Sequence, residues 1–136
     1  MPVFIVWKKD YAVNVESMDS EHKEIFGLIN QAFAAKQEGR TREFLDPLIE
    51  ELIQYAMNHF SNEEVLLKKH QFPELDNQIK EHRDFVKKVS AIKERQSEDQ
   101  VTRFILLFDF LKEWWLDHIQ VEDKKYSSFL NEKGVR

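Results

Sequence analysis

Apolar residues recur every three or four positions in four long stretches of the chain, and each apolar face also carries an ionisable residue. The first stripe is His22, Ile25, Phe26, Ile29 and Phe33. Asp19 or Ser20 offers a cap ahead of it, and Gly39 can end it in a left-handed conformation. The second is Leu48, Leu52, Ala56, His59, Glu63 and Leu66 or Leu67. Asp46-Pro47 reads as its start, with Asp as cap and Pro in the first helical position, and a short turn from Thr41 can precede it. Pro73 interrupts the pattern and marks a loop around residues 70–72. The third stripe, in a helix from about Glu74 to Arg95, is Leu75, Gln78, Ile79, His82, Phe85, Val86, Val89 and Ile92. Ser97 and Gln100 have capping-box spacing before a fourth stripe of Val101, Phe104, Phe108, Leu111, Trp115 and His118. A last helical piece with Tyr126, Phe129 and Leu130 ends near Gly134. Residues 1–16 read as an irregular arm with apolar anchors Phe4, Ile5, Trp7 and Tyr11. The four long segments, each about 30 Å long with short connections, predict an all-α fold: an antiparallel up-down four-helix bundle with an N-terminal arm and a short C-terminal helix.

Composition narrows this without changing it. The 136 residues suit one domain, and three Gly and three Pro are too few for an all-β chain rich in tight turns. A net charge of −5 with only short Lys pairs argues against nucleic acid as a partner. No apolar run is long enough to span a membrane. The apolar start, Met1 to Trp7, lacks a basic leader, so a cytoplasmic location is expected. The absence of Cys excludes disulfides and thiolate metal sites.

The chemistry lies in what the stripes carry. His22, His59, His82 and His118 each fall on the inward face of a different helix. Glu63 lies one turn after His59, on the same face. Asp123 follows His118 by five residues, which in a regular helix turns it roughly 140° away. For both to reach one centre the helix must bulge or end between them, so an irregularity is expected around residues 119–122. A lone His on an apolar face is more often a hydrogen-bonded core residue. Four helices each delivering an inward His, two of them with a nearby acid, point instead to a pair of metal ions, with iron, manganese, zinc or copper all suited to imidazole and carboxylate. His70, in a loop beside two Lys, reads as a surface residue.

These residues resemble the hemerythrin family in its single-domain bacterial form. The resemblance covers nearly the whole chain: Trp7 in the arm, Asp19-x-x-His22-Lys23, His59-Phe60-x-x-Glu63-Glu64, Phe72-Pro73, His82-x-x-Phe85, and Trp114-x-x-x-His118-Ile119 followed by Asp123. It implies a single domain over residues 1–136. It also implies two iron ions in a non-haem, oxo- or hydroxo-bridged centre, with Glu63 and Asp123 bridging. His22 and His59 would hold the iron that stays open to O2, and His82 and His118 would hold the other. The implied function is reversible O2 binding for storage, transport or sensing, which is not an enzyme activity, with any downstream protein partner unspecified.

Two positions depart from the family pattern. Gln78, four residues before His82, stands where a further His ligand is usual. It can bind weakly through its amide oxygen, or stand off and hydrogen-bond inside the bundle, and the latter is the expectation. An open position there would favour an alternative role, as an oxidase or peroxidase-like enzyme or a rapidly autoxidising carrier. Trp115 stands where the family usually has Leu, beside Ile119 in the expected O2 pocket. A bundle without metal, its His residues functionless, ranks last because the buried charges would be poorly compensated.

Overall fold

A computed structural model describes residues 4–39, 42–95 and 99–136. Its long elements are α1 (Glu16–Gln37), α2 (Arg42–Lys69), α3 (Leu75–Lys93) and α4 (Gln100–Asp117). A π-helical turn, His118–Asp123, then leads directly into α5 (Lys124–Glu132). Each long helix packs on the next and α4 returns to α1, closing a four-helix ring. The described residues contain no strand, and none of their helices is long and apolar enough to cross a membrane.

The expected helix starts move. α1 begins at Glu16, three residues before Asp19, and its cap position Val15 offers no side-chain bond. Asp19 instead turns back on the arm, accepting from the backbone N–H of Val13 (2.7 Å) and Asn14 (3.2 Å). α2 starts at Arg42, so Pro47 lies inside the helix rather than at its first position. Near a helix start the lost Pro47 N–H removes one bond without breaking the rod. α4 is capped by Asp99, which accepts from Thr102 N–H at 2.8 Å; Thr41 and Ser97 lie outside the described residues. Val101 is exposed, and Leu107 belongs to the buried face of α4 instead. Gly39 does take a left-handed conformation after α1, with φ +74°.

The arm contains a 3-10 turn, Lys9–Tyr11. Asn30 of α1 clamps its start, accepting from the N–H groups of Phe4 and Ile5 and donating to the Ile5 carbonyl. The buried apolar side chains form two clusters. The larger runs through the bundle and includes Phe60, Phe85, Trp115 and Ile119. The smaller, with Val13, Met18, Leu67, Phe72, Tyr126 and Leu130, closes one end. Buried polar side chains meet both: Trp115 lies 6.0 Å from His59 and 6.5 Å from His22, ring to ring, while Tyr126 bonds Glu63.

Candidate metal centre

Every ionisable position singled out from the sequence is buried: His22, His59, Glu63, His82, His118 and Asp123 are each at most 3% exposed. The helical period delivers the first five. The π turn delivers Asp123, because the extra residue it takes up offsets the rotation that a five-residue step would otherwise impose. His70 lies at the end of α2, in neither metal-competent cluster.

The oxygens of the two acids are shared out between two pairs of imidazoles. Glu63 Oε2 lies 3.4 Å from His59 Nε2 and 3.7 Å from His22 Nε2. Glu63 Oε1 lies 2.9 Å from His82 Nε2 and 3.8 Å from His118 Nε2. Asp123 divides in the same way, with Oδ2 3.2 Å from His22 Nε2 and Oδ1 3.1 Å from His118 Nε2. Two groups of donor atoms are therefore close enough to hold an ion: His22, His59 and Glu63, and Glu63, His82 and His118. Glu63 is common to both.

Several of these contacts are near without being hydrogen bonds. His118 Nε2 and Asp123 Oδ2 have no hydrogen-bond partner although both are buried. Atoms that approach to about 3 Å yet are misaligned as donor and acceptor suit a shared third atom between them. The donor set, imidazole nitrogen with carboxylate oxygen, is that of first-row transition metals. On both grounds the residues fit a pair of such ions.

Outer carboxylates orient three of the imidazoles. His59 Nδ1 donates to Glu21 Oε1 at 2.7 Å, His82 Nδ1 to Glu64 Oε2 at 2.8 Å, and His118 Nδ1 to Glu81 Oε1 at 3.4 Å. Each bond fixes the tautomer and aims the Nε2 lone pair inward. His22 Nδ1 is buried without such a partner. Tyr126 adds an O–H donor to Glu63 Oε2 at 2.7 Å. Glu64 is adjacent to Glu63 and falls within reach of sequence reasoning. Glu21 and Glu81 immediately precede His22 and His82, but each serves the His of a neighbouring helix, so only the tertiary arrangement reveals them. Tyr126 gave no polar signal among its apolar neighbours.

The ionisable groups perturb one another strongly. Burial depresses His59, but the charge and proximity of Glu63 and the bond to Glu21 outweigh it and raise the pKa to about 9. His22 and His118 are likewise raised, burial opposing and Asp123 and Glu63 prevailing. Burial pushes Glu63 upward, yet the surrounding imidazoles hold it well below the usual carboxylate range. The Tyr126 hydroxyl is held far above its ordinary value by burial and by Asp123 and Glu63.

Gln78 is 1% exposed and faces this cluster from α3. Its amide nitrogen donates to Asp123 Oδ1 at 3.0 Å. Trp115 and Ile119 are fully buried.

A family model described as the hemerythrin HHE cation binding domain matches residues 13–130. Among similar proteins, a bacteriohemerythrin of Clostridium acetobutylicum is 29% identical over 89% of this chain and 97% of its own length. A myohemerythrin of Theromyzon tessulatum is 32% identical, covering 91% of this chain and 92% of its own. A bacteriohemerythrin of Pseudomonas aeruginosa is 31% identical over 90% of this chain and 78% of its own. The matched span contains α1 to α4 and every residue of the buried cluster, and the chain belongs to the hemerythrin family.

Proposed function

We propose that the chain holds two iron ions, one at His22 and His59 and one at His82 and His118, with Glu63 and Asp123 bridging, and binds O2 reversibly at the His22/His59 end. Hemerythrin-family proteins carry a non-haem di-iron centre, and this donor set suits one. The observation that carries the reading is the division of both carboxylates, one oxygen toward each imidazole pair.

When bound, the iron pair supplies the electrons and the binding position that O2 requires. The protein's part is to hold and to seclude. Glu21 and Glu64 keep a proton on Nδ1 of His59 and His82, so that Nε2 stays a donor. Tyr126 pins Glu63 in its bridging orientation. Trp115, without solvent exposure and ring to ring with His22 and His59, keeps bulk water from that side. Water exclusion suppresses side reactions and proton entry and so favours release of O2 over irreversible reaction. Of the roles open to such a protein, we favour O2 storage or delivery in the cytoplasm.

Cycling the anaerobic ferrous protein through O2 and vacuum tests the reading. The oxygenated colour is expected to appear and disappear repeatedly. Irreversible bleaching with stoichiometric peroxide release would refute reversible carriage.

A further inference from the structure

The two imidazole pairs become equivalent in number only because Gln78 occupies a third inward position on α3, one turn before His82. Its side chain is committed elsewhere. A carboxylate can only accept, so the bond to Asp123 Oδ1 must come from the amide NH2 group and fixes which way the amide points. Asp123 Oδ1 is also the oxygen 3.1 Å from His118 Nε2. The amide is thus tied to the bridging acid on the His118 side. Its carbonyl, Oε1, is buried and has no hydrogen-bond partner. Such an acceptor normally meets a donor or an ordered water.

An open groove of about 620 Å³ between α2 and α3 reaches the edge of His82 and is lined by Phe60, Glu64, Arg83 and Val86, among others; it runs from His82 along the later turns of α3, and Gln78 is not part of its lining.

We propose that Gln78 is not a metal donor, and that it frames an open ligand position at the His82/His118 end, which takes a water molecule exchangeable for a small anion such as azide. Gln78 Oε1 accepts a hydrogen bond from that water, while Gln78 Nε2 holds Asp123; azide has no proton to replace that bond, so the second azide is expected to bind more weakly than the first. The centre then has two exchangeable positions, one at each end, and reversible O2 carriage at the His22/His59 end requires that the water at the other end stay in place. This rests on the reading that the cluster holds a metal pair.

Azide titration of the oxidised, iron-loaded protein tests it, followed by calorimetry and by the visible charge-transfer band, with iron measured on the same sample. The natural chain is expected to bind two azides per iron pair. Gln78→His, which fills the position with imidazole, is expected to bind one. A single azide on the natural chain with two irons present overturns the proposal, whether because Gln78 Oε1 itself binds metal or because the position is closed. Two azides on Gln78→His overturn it as well. If that variant does not fold, the stoichiometry of the natural chain decides alone. A protein that takes up no iron pair would instead refute the proposed centre, so the two failures are distinguishable.

Discussion

Removing the outer carboxylates should lower metal affinity and metal-free stability together, each measurable on its own. Glu21 and Glu64 bond Nδ1 of His59 and His82 at 2.7 and 2.8 Å, and their side chains are 21% and 31% exposed. Each Glu is partly exposed but its imidazole is buried, so the bond contributes about 1–3 kcal/mol to folding of the metal-free chain. Their effect on a metal-binding imidazole is a separate one, because they set its tautomer, direction and basicity. Loss of such a partner typically lowers metal affinity by about 10–100-fold, or about 1.4–2.8 kcal/mol. Glu21→Ala and Glu64→Ala should each show that loss in competition with a chromogenic chelator. Urea unfolding of the metal-free proteins should shift by about 1–3 kcal/mol. Glu81 sits 3.4 Å from His118 Nδ1, a long bond, so Glu81→Ala should cost less than about tenfold. Unchanged affinity in the first two variants would refute the reasoning, as would Glu81→Ala being the most damaging of the three.

Other consequences follow from the same geometry. Tyr126→Phe removes the buried donor to Glu63 and should destabilise the protein by about 1.5–3 kcal/mol in urea; an unchanged midpoint would show that the bond contributes nothing. Trp115→Leu leaves a cavity beside His22 and His59, costing about 2–4 kcal/mol, and should speed azide exchange in stopped-flow measurements; slower or equal exchange would deny Trp115 a covering role. In the metal-free protein, the raised His59 contributes stability that is full below pH 6.5 and is lost as pH rises through about 9. The depressed Glu63 contributes stability present above about pH 4.5 and lost as pH falls through its lower folded value. Thermal unfolding in chelator should therefore decline from neutral toward pH 10, and iron loading should remove that decline because bound imidazoles are neutral. A flat profile from pH 6.5 to 10 without metal would contradict the raised value.

The sequence disclosed the inward face of each helix, because burial imposes a 3.6-residue period that His22, His59, Glu63 and His82 obey. It also called for an irregularity after His118, because His118 and Asp123 cannot share a face across five residues of regular helix; whether the helix bulged or ended there was open until the structure showed a π turn. Helix starts were less legible. Asp19 and Asp46-Pro47 have the chemistry of caps, yet the arm claims Asp19, and α2 runs through Pro47. Glu21 and Glu81 look like ordinary solvated charges along the chain, and only the packing of α1 on α2 and of α3 on α4 sets them against His59 and His118. The orientation of Gln78 was equally a tertiary matter, decided by which atoms of Asp123 lie within reach.

Anomalous diffraction at the iron edge, on crystals of the iron-loaded protein, tests the central claim most directly. Two peaks are predicted, one beside His22 and His59 and one beside His82 and His118, with Glu63 and Asp123 each reaching both. A single peak, or two that do not share those carboxylates, would contradict it.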